Sequence, residues 1–262
     1  MARPTREDIV RRVTALWAKV DDDAATEAEK AAAADTARRI MAKYAIQDIV
    51  IDAGSDKHED IIVSDILLFE TDDEGTTPVP EQRRALAHYI ATYNRCKSIG
   101  TEKEASVYAD GSAQLAGEYL LVIGFRSDVQ MVELLYGTLV SDMFLAFFRT
   151  DLRHVKSAKR REELMVNFCD GYSYRIGRRL AEINQTVHEM ANDDGSLLPV
   201  LRTRENEVAD FFERMYPPED RVAHQIEGFV YDEGAQAAGR AAADKASLGG
   251  TAIEGRRGVL ER

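Results

Sequence analysis

The hydrophobic pattern is clearest in residues 119–148, where an apolar run of strand length is followed by a polar turn and a helix. Residues 119–125 are nearly all apolar, and residues 126–128 form the turn. Ser127 stands where a helix N-cap belongs, and Gln130 three residues later completes a capping box. Because apolar residues cover several faces of the helix that follows, we expect it to be buried on most sides. Those residues are Val129, Val132, Leu134, Leu135, Tyr136, Leu139, Val140, Met143, Leu145, Phe147 and Phe148.

The chain before this unit predicts a helical hairpin and then strands. Residues 5–44 carry two helical stripes separated by the aspartates 21–23, and the alanine-rich second stripe permits close helix packing. An N-cap role for one of these aspartates is a better interpretation than a metal site, because no EF-hand ligand set follows. Further along we expect strands at 61–69 and at 106–109, a loop at 71–80, a helix at 81–94 and a short segment near 96–99. Asp110 and Gly111 predict a hairpin turn between the strand at 106–109 and the strand at 119–125.

The last third of the chain predicts helices. A polar connector at 149–161 leads into a long helix at about 160–190, because apolar residues keep the helical period throughout it. A shorter helix at 205–216 ends at two prolines, and residues 221–247 are helical and alanine-rich. The whole pattern indicates a mainly helical α+β protein with a small, mostly antiparallel sheet. We divide it into a hairpin (1–50), a central α+β domain (51–150), a helical region (151–248) and a mobile tail (249–262).

The N-terminal hairpin resembles a short domain of unknown function that is widespread in bacterial and bacteriophage proteins. The resemblance spans about residues 5–46. It rests on Leu16, Ala18, Lys19, Glu27, Ala28, Ile40, Met41, Ala42, Lys43, Tyr44 and Ile46. Ala45 stands where the family usually has glycine, which argues against a left-handed C-cap there. A weaker likeness to phage-type members continues through residues 94–96, 124–125 and 128–129 to the tail at 234–250. The family carries no activity that could be transferred, so the resemblance implies relatives and not a reaction.

Composition narrows the function classes. The 262-residue chain has a formal net charge of −12, which argues against indiscriminate binding to nucleic acid or to an anionic membrane. Its two cysteines, Cys96 and Cys169, lie far apart and match no zinc or redox spacing, as in a reduced cytoplasmic protein. The N-terminus lacks a signal-peptide core, and the apolar runs fall short of the ~20 residues that cross a bilayer. We therefore expect a cytoplasmic protein without membrane contact.

Catalytic motifs are missing from the sequence. The five histidines have no second ligand at helical spacing, and neither a nucleophile elbow nor a Walker loop is present. Residues 124–127 superficially resemble a phosphate-binding turn, but any strand followed by a capped helix would look the same. If the protein is an enzyme, its site is assembled from distant residues, with His88, Asp65 and Cys96 as the best candidates. We predict no cofactor and no metal site.

Charge is distributed unevenly along the chain. Residues 52–74 hold nine acidic residues and one lysine, whereas residues 149–179 hold nine basic residues and four acidic ones. Two readings stay open for the basic segment: a solvated or internally paired face, or a site for an anion or nucleic acid. The candidate contact residues are Arg153, Lys156, Lys159, Arg160, Arg161, Arg175, Arg178 and Arg179.

Three functional hypotheses follow. The first is a non-enzymatic binding or assembly protein of bacterial or phage origin that works through helical surfaces, with a protein partner or a second copy of itself. The second is nucleic-acid association through the basic segment, which predicts affinity that falls steeply with salt. The third is an enzyme with a site assembled from distant residues.

Overall fold

The computed structural model of this protein describes residues 59–70, 79–108, 113–193, 197–221 and 230–248, with five further positions near the N-terminus. Those five are Leu16, Thr26, Glu29, Ala33 and Thr36. Most of the expected hairpin at 5–44 and the whole tail at 249–262 therefore lie outside the described residues, as do the loop at 71–78 and the turn at Asp110 and Gly111.

The chain divides into two compact units. One comprises Met1–Glu59, Arg179–Glu205 and Lys245–Arg262, and the other comprises Asp60–Arg178 and Asn206–Asp244. We refer to the latter as the sheet unit because it holds every described strand. The domain boundaries expected from the sequence remain a prediction.

The mainly helical α+β class is confirmed. Within the described residues, the strands are β1 (Ile61–Glu70), β2 (Lys97–Lys103), β3 (Ser106–Val107), β4 (Ala113–Gln114) and β5 (Gly117–Phe125). The helices are α1 (Pro80–Tyr93), α2 (Arg126–Phe148), α3 (Ala158–Asp193), α4 (Leu197–Met215) and α5 (Glu233–Lys245), with a 3-10 turn at Pro218–Asp220.

The sheet places β5 in the centre, antiparallel to β1 on one side and to β2 on the other. Central strands are covered on both edges, which explains why β5 is the most apolar of the three. The β1–β5 register shifts between Leu67 and Phe69, a bulge that Gly117 accommodates because a Cβ there would lie 2.3 Å from the Phe69 carbonyl oxygen. Strands β3 and β4 form a separate antiparallel pair, so the strand at 106–107 pairs with residues 113–114 and not, as the hairpin signal had predicted, with the strand at 119–125.

Helices α1 and α2 contact each other, and both contact β1 and β5. Leu86 and Ile90 of α1 and Val132 and Leu139 of α2 are fully buried. At the edge of this layer Arg84 of α1 donates two hydrogen bonds of 2.5 Å to Glu118 of β5. The predicted strand–helix order of residues 119–148 therefore forms the core of the sheet unit.

Two expectations about α2 are wrong. The helix begins at Arg126 with Phe125 as its N-cap and no side-chain cap bond, so Ser127 is not the cap. The reason lies in the unbroken passage from β5 into the helix, where the Arg126 amide donates to the Asp60 carbonyl over 3.2 Å. The helix is also not buried on most sides, since Leu145 and Phe148 are 52% and 71% exposed.

Helix α2 has a further property that the short apolar runs of the sequence did not suggest. Among the described residues it is the one helix long and apolar enough to cross a membrane, by length and composition alone. A helix in the core of a soluble protein passes the same test. The N-terminal turn of α2 carries Asp128, which is buried and paired with Arg95.

Helix α3 is confirmed over its whole expected length, and it begins slightly earlier. Ser157 accepts a hydrogen bond from the Arg160 amide over 3.3 Å, which is the geometry of an N-cap. Helix α4 starts at Leu197, well before the expected residue 205, with Pro199 in its first turn, where a proline costs no hydrogen bond. Its end before two prolines is confirmed.

Helix α5 is shorter than expected, because Tyr231 and Asp232 precede it as non-helical residues. The Asp232 carboxylate accepts a hydrogen bond from the Ala235 amide over 2.8 Å and caps the helix. The buried positions are Gln236, Gly239 and Ala243. Gly239 packs directly on α3, since a Cβ there would lie 2.0 Å from the Phe168 carbonyl oxygen.

The other unit is described mainly through the end of α3 and the start of α4. Buried Arg179 donates to the Ala246 carbonyl over 2.8 Å, and Arg204 donates to Glu59 over 3.1 Å. His188 and Glu205 lie 3.3 Å apart. These bonds join parts of the chain that are distant in sequence.

Candidate functional site

Half of the predicted anion-contact residues either form an ion pair within the protein or are buried. Arg153 donates hydrogen bonds of 2.9 Å and 2.8 Å to Asp151, Arg175 donates one of 2.6 Å to Asp244, and Arg179 is buried against a carbonyl. Arg160 bonds Glu163 over 3.1 Å and also pairs with Asp232. Among the described residues, none of these partners belongs to the acidic segment 52–74.

Two of these carboxylates, Asp151 and Asp232, have depressed pKa values. Two-pronged hydrogen bonding by Arg153 lowers the pKa of Asp151 to about 2. For Asp232, the Ala235 amide and then Arg160 lower the pKa. Both acids therefore stay ionised at neutral pH and keep their arginines occupied.

The remaining four cations differ from this group. Lys156 and Lys159 are exposed and form no ion pair with any described residue. Arg161 is exposed, although its Nε donates to the Val155 carbonyl over 2.7 Å, and Arg178 is exposed on α3. Cations in the first turn of a helix oppose its dipole, and the Ser157 cap offsets part of that cost.

An exposed apolar surface lies directly beside these lysines in the chain. Met143 and Phe147 point into the core of the sheet unit, whereas Leu145 and Phe148 face solvent. Arg149 follows at once and is exposed. We call Leu145, Phe148, Arg149, Lys156 and Lys159 the α2-end patch. The exposure of Leu145 and Phe148 could not be predicted from the sequence. The spacing of apolar residues identifies a helix but does not show which of the helix faces other elements will cover.

The sheet unit also contains an open groove of about 560 Å³, lined by Ile61, Glu207, Asp210, Glu213 and Arg214. Four of these residues come from one face of α4, where spacings of three and four residues align them. Glu213 is bonded to Arg221 over 2.5 Å, whereas Glu207 and Asp210 have no ion pair within the described part of the chain. We call this surface the α4 groove.

The structure does not assemble the expected catalytic trio. His88 Nδ1 lies 3.0 Å from Ser98 Oγ, and Ser98 is paired with Val122 on β5. Asp65 is paired with Leu121, which is adjacent to Val122 on β5. Because successive residues of a strand point to opposite faces, the Asp65 side chain lies on the face of the sheet opposite to Ser98. There it binds Lys103. His88 and Asp65 therefore cannot act on one substrate group.

The cysteines are also unsuited to nucleophilic chemistry. Burial, and then the Asp128 carboxylate, raise the pKa of Cys96 well above the usual range, and burial raises the pKa of Cys169 to about 12. Both thiols are therefore protonated at neutral pH. Cys96 Sγ fills the space left by Gly124, where a Cβ would lie 2.6 Å away. Partial desolvation, and then Lys97, lower the pKa of His88.

A metal site is likewise not formed by the residues that the structure describes, since these contain no group of three or more His, Cys, Asp or Glu able to hold an ion. The described residues instead present two surface features, one cationic and apolar and the other acidic. Neither surrounds a deep reactive cleft.

Comparison with known proteins identifies the N-terminal segment only. Residues 8–48 match a family described as "Protein of unknown function (DUF2786)", which confirms the resemblance of the hairpin to a domain of unknown function. No curated protein and no solved structure matches the chain.

Proposed function

We propose that the chain is a non-enzymatic binding or assembly protein whose working surface is the α2-end patch. The observation that carries this proposal is the exposure of Phe148, which is 71% accessible at the end of a helix whose opposite face is fully buried. An aromatic residue left in water forgoes the burial free energy of a core position. Exposed aromatic side chains and arginines are enriched in protein-binding surfaces, and Arg149 directly follows Phe148 in the chain.

The surrounding charges support the same function. Arg149, Lys156 and Lys159 are exposed and lack ion pairs within the described residues, whereas Arg153 and Arg175 each have at least one and Arg160 has two. Cations that are free to pair steer an acidic partner towards the patch and set the orientation of binding. The partner is accordingly a protein surface with carboxylates around an apolar contact.

Site-specific photo-crosslinking tests this proposal. Phe148 is replaced by a benzophenone amino acid in the full chain produced in bacterial cells, with Tyr174, which is 52% exposed on α3, as the matched control position. We expect a protein adduct at position 148 that is stronger than at position 174 and is lost in the K156E/K159E background. Equal adducts at both positions, or no adduct at 148, would reject the proposal.

Nucleic-acid association is the second candidate, and the proximity of Phe148 to the basic connector favours it. Bases stack on exposed aromatic rings while lysines track the phosphates. The contact set would be Arg153, Lys156, Lys159, Arg160 and Arg161, and the affinity would fall steeply with salt and with their joint replacement. Nucleic-acid adducts at position 148 in the crosslinking experiment would favour this function over the first.

We also infer the setting in which the protein works. The likeness of the hairpin to a bacterial and phage domain, together with the glycine- and alanine-rich stretch at 234–250, supports a phage-type protein of bacterial cells. The two free cysteines, Cys96 and Cys169, support the reducing cytoplasm as its compartment.

A further inference from the structure

We propose that the α2-end patch binds the α4 groove of a second copy of this chain, so that copies associate head to tail. This inference rests on the proposed function and names its partner. Both surfaces belong to the sheet unit, and each supplies what the other lacks.

The charges of the two surfaces are complementary. Three cations line the patch, and three carboxylates and one guanidinium line the groove. Lys156 and Lys159 on one side, and Glu207 and Asp210 on the other, form no ion pairs with described residues of their own copy. Bringing the surfaces together pairs these groups, at a gain that salt weakens.

The apolar parts also correspond. Ile61 provides an apolar position on the wall of the groove, and the groove volume of about 560 Å³ is large enough to receive the side chains of Leu145 and Phe148. An aromatic anchor inserted into a pocket and ringed by polar contacts is the arrangement that carries most binding energy in protein interfaces.

The same charges exclude the symmetrical alternative. A two-fold contact of patch on patch would place the lysines of one copy against those of the other, and groove on groove would oppose carboxylates. A patch-to-groove contact is heterologous, and such contacts generate rings or filaments according to the rotation between copies. The chain would therefore form concentration-dependent oligomers beyond a dimer.

Sedimentation velocity of the purified full chain tests the inference. We expect association at about 100 μM protein that weakens when the salt rises from about 50 mM to about 500 mM. The F148S variant and each of the charge-reversed pairs, K156E/K159E and E207K/D210K, should associate at least about tenfold more weakly. The control E102K/E104K, at two exposed positions on β2 and directly after it, changes the net charge as much as E207K/D210K and should associate no more weakly than the wild type.

Mixing the variants gives the decisive result. Each charge-reversed pair alone has two surfaces of one sign, but the mixture of K156E/K159E with E207K/D210K again opposes cations to carboxylates. The mixture should therefore associate more strongly than either variant alone. Circular dichroism and thermal melting of each variant show that the fold is kept.

Failure of this inference is distinguishable from failure of the proposed function. Two results would overturn the head-to-tail contact. The purified chain could stay monomeric at every concentration, or the three variants could associate as strongly as the wild type. If the photo-crosslinker at position 148 nevertheless captures another protein, the α2-end patch remains a binding surface and only its partner is different.

Discussion

Two regions of the sheet unit differ in the size of the side chains that form them. Small residues form the contact between α3 and α5, whereas large apolar residues form part of the α2-end patch. At the helix contact, Gly171 and Gly239 let two backbones touch, since a Cβ at either position would lie within 2.3 Å of a carbonyl oxygen on the other helix. At the patch, two large apolar side chains contact mainly solvent. The alanine-rich segment, which looks suited to docking a partner, is thus used within the chain, whereas the apolar helix that looks like core leaves part of its surface open.

Polar groups show the same difference. Buried Asn167 of α3 donates to the Glu163 and Val230 carbonyls over 2.8 Å each and accepts from the Asp232 amide over 2.7 Å. Its amide is satisfied on both ends, as buried polar groups require. The lysines of the patch have no comparable bonds. A surface whose groups are all satisfied has little to offer a partner, and this is the reason to look for function at the patch.

The largest expected effect is at the helix contact. Replacing Gly by Ala within a helix normally stabilises it by about 0.5–1 kcal/mol. Gly239→Ala should instead destabilise the protein by about 3 kcal/mol or more, because the new methyl group would meet backbone 2.0 Å away and push α5 off α3. Urea unfolding measures both this variant and its control.

The matched control lies on α2. Gly137 is exposed, and no atom lies within 4 Å of a Cβ built there. Gly137→Ala should therefore show the ordinary stabilisation. If both substitutions stabilised the protein, the backbone contact between α3 and α5 would be wrong.

Asn167→Ala comes next in size. The substitution removes three hydrogen bonds and leaves the part-buried Asp232 amide and Val230 carbonyl without their side-chain partner, at an expected cost of about 1–2 kcal/mol. Gln185→Ala, which loses one bond of 2.9 Å to Glu189 on an exposed face of α3, should cost less than about 0.5 kcal/mol. Equal losses for the two variants would show that residues 230–232 are not held by Asn167.

The sequence was sufficient for the elements that have a strong period. Residues 119–125 and the apolar spacing of α3 gave the central strand and the longest helix, because burial on one side leaves a clear periodic trace. The sequence predicted a helix at α5 but not its buried face, which carries Gln236, Gly239 and Ala243. Small residues occupy every face of α5, so their spacing could not reveal the buried one.

The candidate site was harder to predict for two reasons. The partners of Arg160 and Arg175 are Asp232 and Asp244, about seventy positions away, and a count of charges along the chain cannot locate them. The exposure of Phe148 depends on which other elements pack against α2. The sequence of the helix alone does not determine this. Only Lys156 and Lys159 could be taken from the charge run alone.

A small effect is expected at the patch itself. Leu145→Ser and Phe148→Ser together should change the free energy of unfolding by less than about 1 kcal/mol, because these side chains are already 52% and 71% exposed. Met143→Ser, one turn away and fully buried, should cost about 3 kcal/mol or more. A large loss in the first variant would mean that the patch belongs to the core. Urea unfolding at low protein concentration separates this result from any effect on association.

The smallest effect concerns two carboxylates. Asp151 lies in the chain between Arg149 and Lys156 of the α2-end patch, and Asp232 lies at the start of α5. The pKa of Asp151 is about 2 because of Arg153, and the pKa of Asp232 is lowered chiefly by the Ala235 amide and then by Arg160. Both folded pKa values lie below the unfolded value of about 3.9, so each carboxylate contributes stability that is complete above that pH and is lost as the pH falls through the folded pKa. NMR titration of the two carboxyl groups should show that Arg153→Gln removes the larger part of the Asp151 pKa shift, because only the 3.1 Å hydrogen bond from the backbone amide of residue 153 remains. Arg160→Gln should leave most of the shift of Asp232 in place, since its helix-capping bond remains. If Asp232 lost its shift as completely as Asp151, the capping bond to the Ala235 amide would be absent in solution, and α5 would not begin where the structure places it.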